Sequence, residues 1–197
     1  MTDAVRSFVA VPLPGPLQAR IFAAAQELGR DLPDVKWSRK VENLHITVKF
    51  LGPVGEAQLA ALGSELAQAL APLPRFRLEL RRMGAFPSAR NANVLWAGAD
   101  DVEHGLAAVA EVVEGVCERL GFARDRRPFT GHVTVGRSKG RGLDARAALD
   151  AFAGRNVQPL GEATVEEVHV YESRLGGGAG GDASTYVLRS RAALASN

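Results

Sequence analysis

The chain has little cysteine, no long apolar run near its start and little net charge. Its one cysteine, Cys117, excludes an internal disulfide framework and a cysteine cluster for metal, which is typical of a reducing cytoplasm. Helical spacing predicts that Cys117 packs in the core. The first seven residues, MTDAVRS, lead into a short apolar run without a basic leader or a long hydrophobic stretch. We therefore expect no export, no membrane span and a cytoplasmic location.

The overall composition is that of a globular protein. The 197 residues are 46% hydrophobic and 23% charged, which is enough for one sizeable core or two small lobes. A formal net charge of +2 and a pI near 9.0 permit contact with a polyanion without demanding it. Composition alone therefore does not select nucleic acid as a partner.

Two short segments repeat one pattern in a chain that has four histidines. Residues 45–48 (HITV) and 132–135 (HVTV) each place a histidine and a threonine two positions apart, with an aliphatic residue after each. In a strand, successive side chains point to opposite faces, so each segment puts its histidine and threonine together on one side. Histidine titrates near neutrality, and a threonine hydroxyl donates to anionic oxygens. Two such strands facing one cleft would flank a phosphate.

Apolar periodicity predicts helices and strands in both halves of the chain. The predicted strands lie near 7–11, 44–51, 75–83, 94–97, 130–135, 164–171 and 185–190. The predicted helices cover 17–28, 59–70, 106–120 and 143–152, and Gly121 is placed to end the third. The glycine-rich run at 176–181 is typical of a loop between strands. Because the two histidine motifs are 87 residues apart, we expect an internally duplicated α+β fold.

A family resemblance covers nearly the whole chain. The segments that carry it are 8–11 (FVAV), Trp37 with 43–52 (NLHITVKFLG), 86–87, 94–96, 129–137 (FTGHVTVGR), 172–175 and 186–188. Together they resemble the two-histidine phosphoesterases, specifically the bacterial and archaeal RNA 2',3'-cyclic phosphodiesterases once called 2'-5' RNA ligases. One residue departs from the pattern, since Gly131 stands where the family usually has proline before the second histidine.

The resemblance implies both a fold and a site. The implied fold has two lobes, each a small, mostly antiparallel sheet with outer helices, which meet at a central cleft. No linker divides the sequence, so we expect one bilobal domain over 1–197. The resemblance also implies that His45 is the proton donor and His132 the proton acceptor. The residues alone leave this direction open, because the two motifs are nearly symmetrical.

The chemistry of a cyclic phosphodiester matches two opposed histidines. Opening the ring requires a water activated on one side of phosphorus and a proton for the departing ribose oxygen on the other. Neither a metal nor a cofactor is then required. We expect Thr47 and Thr134 to hold the non-bridging oxygens. Arg137 offers a planar pair of donors, but strand alternation places it opposite His132 unless the chain bends at Gly136.

Several residues leave two interpretations open. Strict alternation places Lys49 on the same face as His45, where it could contact phosphate. Alternatively, Lys49 is an ordinary solvated lysine. Two histidines without a carboxylate or cysteine at ligand spacing make a poor metal site. Structural roles are expected for His104 and His169. Four aromatic residues could stack on a base or fill the core: Phe8, Phe50, Trp37 and Trp96. Of these, alternation places Phe50 on the aliphatic face of its strand. A basic cluster could steer RNA or form a solvated loop: Arg124, Arg126 and Arg127.

Three functions compete. The leading hypothesis is a monomeric enzyme that hydrolyses a 2',3'-cyclic phosphate at an RNA end or on a small nucleotide, leaving a 2'-phosphate, where the regiochemistry comes from the resemblance alone. The second is 2'-5' RNA ligation at the same site, with a ribose hydroxyl in place of water. The third is a non-catalytic module that binds nucleotides or RNA. Two titratable groups at matched positions argue against the third hypothesis.

Overall fold

The computed structural model describes residues 4–174 and 184–196, and within these ranges it contains nine strands and four α-helices. The strands are β1 (Val5–Pro12), β2 (Val35–Trp37), β3 (His45–Val54), β4 (Phe76–Ser88), β5 (Asn91–Asp100), β6 (His132–Ser138), β7 (Gly161–Val165), β8 (Glu167–Arg174) and β9 (Thr185–Ala193). The helices are α1 (Gly15–Gly29), α2 (Glu56–Leu70), α3 (Gly105–Arg119) and α4 (Arg146–Arg155). No helix in the described ranges is long and apolar enough to cross a membrane.

The predicted elements are confirmed, with two differences in the strands. The predicted strand at 164–171 is interrupted at Glu166 and belongs to β7 and β8. Strand β2 was not predicted because three residues are too few to show an apolar alternation. The predicted glycine-rich loop at 176–181 lies outside the described residues.

The strands form one curled antiparallel sheet made of two similar halves. The order is β7-β4-β5-β6-β3-β1-β8-β9, and β2 pairs with β6 beside this path. One half is β7-β4-β5-β6 and the other is β3-β1-β8-β9. Within the described residues, one pair of residues joins the halves, Ile46 on β3 opposite Val133 on β6. The α+β prediction is confirmed, and the two expected small sheets are continuous through this pair.

The duplication is visible in the chain path, but the first helix of each repeat crosses to the other half. The order strand-helix-strand-helix occurs as β1-α1-β3-α2, with the short strand β2 inserted after α1, and again as β5-α3-β6-α4. Helix α1 leaves β1 and packs against β2, β6, β7 and α4 in the other half. Helix α3 leaves β5 and packs against β3 and α2. Each half therefore buries its sheet with a helix from the opposite repeat.

The helices bury the faces that their periodicity predicts. In α1 the apolar stripe of Leu17, Ile21 and Leu28 is nearly inaccessible to water, and the corresponding stripes of α2 and α3 are buried as well. Cys117 is fully buried, as predicted, and burial raises the pKa of its thiol to about 11. It is therefore a small core residue rather than a reactive thiol.

Gly121 ends α3, as predicted from the sequence. Its φ of 86° lies in the left-handed region, where a side chain would be strained. The Gly121 N–H donates to the Glu118 carbonyl at 3.0 Å, and the Phe122 N–H donates to the Cys117 carbonyl at 2.9 Å. These two bonds satisfy carbonyls that the helix itself leaves open, in the Schellman arrangement. The chain is thereby turned from α3 toward the loop that leads to His132.

We predict that truncating the residue at the junction of the halves is costly. Ile46 is fully buried, so Ile46→Ala should lower the free energy of unfolding by about 2–5 kcal/mol in urea denaturation, through lost burial and the cavity left behind. Val102→Ala is the matched control, because that side chain is exposed and its loss should stay within about 0.5 kcal/mol. Equal losses of unfolding free energy in the two variants would show that packing at the junction does not contribute specially to stability.

Candidate active site

The two histidine motifs meet where the halves of the sheet join. Because Ile46 lies opposite Val133 in antiparallel register, His45 lies beside Thr134 and Thr47 beside His132 across the two strands. Ile46 and Val133 point into the core and are fully buried, whereas the histidines and threonines are half-buried on the opposite face. The structure therefore brings together the four side chains that the sequence analysis assigned to a phosphate.

Both histidine rings are held in the same way. The Nδ1 of His45 lies 2.7 Å from the carbonyl oxygen of Asn43, and the Nδ1 of His132 lies 2.7 Å from that of Thr130. A carbonyl oxygen accepts only, so each Nδ1 carries the proton and donates it. In the neutral ring, Nε2 is then the free base, which is the atom that can exchange protons in the cleft. For His45 this atom lies 3.0 Å from the Thr47 hydroxyl.

The surroundings of the two histidines differ. The ring of His45 stacks on Phe8 at a centroid distance of 4.9 Å and meets the edge of Tyr186 at 5.3 Å. Burial lowers the pKa of His45 to about 4, with the positive charge of His132 adding to the effect and the Asn43 carbonyl opposing it. His132 is covered on one side, where Phe86 approaches edge-on at 5.0 Å. In the free protein His45 is therefore neutral at physiological pH.

A β-bulge in each motif strand changes the faces of the residues that follow. Ala10 pairs with Thr47 and Val9 with Lys49, which leaves Val48 as the extra residue of β3. In β6 the extra residue is Val135, because Trp96 pairs with Thr134 and Leu95 with Gly136. The bulges occupy the same position of the two motifs. The second residue after each threonine therefore points to the buried face, and the third points into the cleft.

The bulge in β6 brings Arg137 to the face of the sheet that carries His132 and Thr134. Strict alternation places Arg137 opposite His132, but the extra residue Val135 reverses the parity. Arg137 is exposed and lines the cleft together with Thr134. The bend that the sequence analysis required at Gly136 is thus a register shift one residue earlier. The guanidinium therefore lies on the side of the cleft where the sequence predicted it.

The equivalent bulge in β3 contradicts both predictions for Lys49, which were a contact with phosphate in the cleft and a solvated surface position. The bulge at Val48 turns Lys49 away from His45, and its side chain is 2% exposed. Its ammonium lies 2.7 Å from a Glu114 carboxylate oxygen, donates to the Ala123 carbonyl at 3.0 Å and lies 3.7 Å from Asp125. Lys49 is neither a phosphate ligand nor a solvated lysine. It ties β3 to α3 and to the loop that leads to His132.

Phe50 was placed on the wrong face by the sequence analysis. After the bulge it points into the cleft, where it is 67% exposed, at the position that Arg137 holds in the second motif. Of the other aromatic candidates, Phe8 is buried under His45, and Trp37 and Trp96 are half-buried. Alternation cannot reveal Phe50, because a bulge within an apolar run leaves no signal in the sequence.

Other residues that shape the site were missed or had structural roles. Tyr186 lies in a segment that carries the family resemblance, but no role was predicted for it. The carbonyl groups of Asn43 and Thr130 were not predicted, since backbone acceptors carry no sequence signature. His169 is buried, with Nδ1 2.8 Å from the Tyr171 hydroxyl and Nε2 2.7 Å from Glu167, in agreement with a structural role. His104 is exposed in the turn before α3.

Two cavities meet at Thr47 and Phe50. The His45 cavity, about 510 Å³, is lined by His45, Thr134, Arg137, Trp37 and Tyr186 together with several basic residues. The His132 cavity is larger, about 1460 Å³, and is lined by His132, Phe86, Phe129 and a mixture of basic and acidic residues. Across residues 4–174 and 184–196, no group of three or more histidine, cysteine or carboxylate side chains is placed to hold a metal ion. The Nε2 atoms of the two histidines, left free by the bonds at Nδ1, are able to exchange protons.

We predict that Lys49 and Glu114 act as a pair. Lys49→Met should lower the free energy of unfolding by about 3 kcal/mol, because the half-buried Glu114 carboxylate then loses its cation. The double variant Lys49→Met, Glu114→Gln should recover much of this loss, since no uncompensated charge remains. Urea denaturation measures both. A loss below about 0.5 kcal/mol for Lys49→Met would show that Lys49 behaves as a solvated surface residue.

We predict that the ring of His45 titrates far below a normal histidine. A long-range ¹H–¹⁵N NMR titration of the free protein should give a midpoint near 4, because burial disfavours the imidazolium. Tyr186→Ala admits water to one edge of the ring and should raise that pKa toward its ordinary value. Circular dichroism verifies that the fold persists at the acidic end. A midpoint at or above about 6.5 would contradict the burial argument.

The chain is similar in sequence to a known protein family. A model of the 2'-5' RNA ligase superfamily matches residues 13–177. The RNA 2',3'-cyclic phosphodiesterase of Aeropyrum pernix is 36% identical over 135 residues, which are 68% of this chain and 72% of the relative. The RNA 2',3'-cyclic phosphodiesterase of Archaeoglobus fulgidus is 31% identical over 171 residues, or 87% of this chain and 92% of the relative.

A solved structure supports the same relationship. The crystal structure of Escherichia coli LigT complexed with 3'-AMP superimposes with a TM-score of 0.73 at 26% identity and covers 97% of this chain and 98% of LigT. Family match, relatives and fold agree with the resemblance carried by the paired histidine and threonine motifs. The chain belongs to the 2'-5' RNA ligase superfamily of two-histidine phosphoesterases.

Proposed function

We propose that the protein hydrolyses 2',3'-cyclic phosphates at RNA ends or on small nucleotides and leaves a 2'-phosphomonoester. The observation that carries the proposal is the pair of histidines, each with Nδ1 held by a backbone carbonyl, on the two strands that meet at Ile46 and Val133. Curated relatives of the same superfamily are RNA 2',3'-cyclic phosphodiesterases, which supports the substrate class. The acting unit is one bilobal domain over 1–197, because the exchanged helices complete each half with the other.

The phosphate lies between the two motifs in the proposed reaction. The hydroxyls of Thr47 and Thr134 and the guanidinium of Arg137 donate to its non-bridging oxygens and stabilise the charge that develops there. Water on the side of His132 gives its proton to the free Nε2 of that ring and attacks phosphorus. The bond from phosphorus to the 3' oxygen breaks, and that oxygen takes a proton from Nε2 of a protonated His45. The 2' oxygen keeps the phosphate.

The burial of His45 has to be reconciled with a donor role. In the free protein the ring is neutral, since its pKa is about 4. A bound phosphate places a negative charge beside the ring, and this charge favours the imidazolium and raises the pKa. His45 therefore acquires its proton together with the substrate. The hydroxyl of Thr47 lies 3.0 Å from Nε2 of the ring.

Two features of the proposal remain predictions of the sequence alone. They are the monomeric state and the cytoplasmic location. Ligation through a 2'-5' linkage uses the same site with a ribose hydroxyl as the attacking group, and water at its bulk concentration favours hydrolysis instead.

We predict that each histidine is required for turnover of a 2',3'-cyclic nucleotide and of a cyclic-phosphate-ended oligonucleotide. His45→Ala and His132→Ala should each lower kcat by at least about 10²-fold, the contribution of a general acid or base, and the double variant should lose less than the product. His104→Ala, at an exposed turn, is the matched control and should retain activity. Exhaustive EDTA treatment should leave the wild-type rate unchanged, because protein groups carry the proton transfers.

The same assay has outcomes that contradict the mechanism. Near-normal turnover in either folded histidine variant would remove that histidine from the reaction. Loss of activity on chelation, with recovery on Zn²⁺, would make the histidines metal ligands. A cyclic substrate with sulfur in place of the 3' oxygen needs little protonation on departure, so it should rescue His45→Ala more than His132→Ala. Preferential rescue of His132→Ala would reverse the donor and acceptor roles.

A further inference from the structure

His45 lies in a cluster of four aromatic rings, and each strand of the half β3-β1-β8-β9 supplies one of them. The other three rings are Phe8 on β1, Tyr171 on β8 and Tyr186 on β9. All pairs of ring centroids within this cluster lie between 4.9 and 6.4 Å apart. The plane of the His45 ring therefore depends on where its three neighbours lie.

The single hydrogen bond at Nδ1 does not fix the His45 ring by itself. The bond to the Asn43 carbonyl holds one corner of the ring, but the last side-chain torsion of histidine is soft, and rotation would still swing Nε2. Phe8 opposes this rotation, because it stacks on His45 at an interplanar angle of 25°. The rings of Tyr171 and Tyr186 pack against both His45 and Phe8 and so restrain the pair.

Tyr171 is anchored by polar side chains that follow one another along β8. Glu167, His169 and Tyr171 alternate with two buried valines, so the three polar side chains share one face of the strand. The Tyr171 hydroxyl lies 2.8 Å from Nδ1 of His169, and Nε2 of His169 lies 2.7 Å from a Glu167 carboxylate oxygen. His169 is itself buried, so the end of this chain that meets Tyr171 is held in place by packing as well.

The register places these side chains on the sheet face that carries the histidine motif. Tyr171 pairs with Phe8, and His169 pairs with Ala10. Ala10 in turn pairs with Thr47 on its other side. Residues that are directly paired in an antiparallel sheet lie on the same face, so His169 lies two strands away from Thr47 on the face of the cleft.

The neighbours of His169 assign its proton. A carboxylate only accepts, so Glu167 favours the proton on Nε2, although its contact is a close charge contact rather than an aligned hydrogen bond. Nδ1 is then the acceptor, and the Tyr171 hydroxyl donates to it. Burial, with the Glu167 carboxylate adding to the effect, raises the pKa of Tyr171, so the hydroxyl keeps its proton at neutral pH. His169 therefore carries the opposite tautomer to His45 and His132.

We propose that His169 is a positioning residue for the proton donor: by accepting from the Tyr171 hydroxyl it fixes the aromatic cluster that holds the His45 ring in its reactive orientation. The inference rests on the proposed function and adds to it a residue that touches neither the substrate nor the reacting atoms. A misplacement of a reacting group by about 1 Å costs on the order of 10²-fold in rate. Release of one ring neighbour permits a smaller displacement, and its cost in rate is correspondingly smaller.

The test uses His169→Leu, which removes the acceptor, and Tyr171→Phe, which removes the donor and keeps the ring. Both are assayed with a 2',3'-cyclic nucleotide and with its analogue that has sulfur in place of the 3' oxygen. On the oxygen substrate each variant should lower kcat by about five- to ten-fold and change KM by less than about two-fold. On the sulfur analogue, whose leaving group needs little protonation, each variant should keep at least about half of the wild-type kcat.

Two further variants separate positioning from stability. His169→Gln retains an amide oxygen that accepts from the Tyr171 hydroxyl, so it should restore kcat to within about two-fold of the wild type. In the double variant His169→Leu, Tyr171→Phe, kcat should fall no further than in either single variant, because both changes remove the same bond. A smaller folded fraction would instead lower turnover of the oxygen and sulfur substrates equally.

Glu172 supplies the matched control on the opposite face of β8. It is buried, as His169 is, and its carboxylate accepts from Arg174 at 2.6 Å and from Arg189 at 2.8 Å, away from the aromatic cluster. Glu172→Gln should therefore leave the ratio of kcat on the two substrates unchanged, even where it lowers the unfolding free energy.

The outcomes separate this inference from the proposed function. Circular dichroism verifies that each variant is folded, and Tyr171→Phe alone decides the matter if His169→Leu does not fold. An unchanged kcat in the folded variants, or an equal loss on the oxygen and sulfur substrates, would overturn the inference and leave the proposed function standing. Absence of turnover of both substrates by the wild type would overturn both.

Discussion

One antiparallel residue pair, Ile46 opposite Val133, organises the site. It joins two halves of a sheet that otherwise run separately, and it sets the register in which each histidine lies beside the threonine of the other motif. A shift of one residue would turn all four side chains to the core face, because side chains alternate along a strand. The buried aliphatic residues of the motifs fix the register. The register in turn places the histidines and threonines together in the cleft.

The two bulges, at Val48 in β3 and Val135 in β6, place different side chains at equivalent positions of the two motifs. At the third residue after the threonine, the first motif presents Phe50 and the second presents Arg137. At the second residue, the first motif directs Lys49 into an ion pair behind the sheet and the second has Gly136, which packs closely against Val35 and Trp37. A nearly symmetrical backbone thus presents an aromatic ring in one motif and a guanidinium at the equivalent position of the other. The symmetry places the two histidines equivalently, and the different residues after the bulges make the two sides of the cleft chemically different.

The sequence predicted the parts of this arrangement that follow from regular periodicity. Four helices, the strands that carry the motifs and the shared face of His45 and Thr47 all depend on spacing, which the sequence displays. Lys49 and Phe50 were misplaced, and Arg137 required an assumed bend, because a bulge arises from pairing with the neighbouring strand. The partner strands β1 and β5 lie far from the motifs in sequence. The carbonyl groups that orient the histidines are likewise invisible, since every residue has one.

The exchanged helices and the late strands have a consequence for the order in which the chain assembles. Helix α1 is synthesised well before its partners β6, β7 and α4, which lie in the second half of the sequence. One edge of strand β1 likewise stays unpaired until β8 has been synthesised. Such contacts between distant segments make folding slow and leave no half able to bury its core early. We therefore expect the native core to form only after β8 has been synthesised, and the cleft between the motifs to form with it.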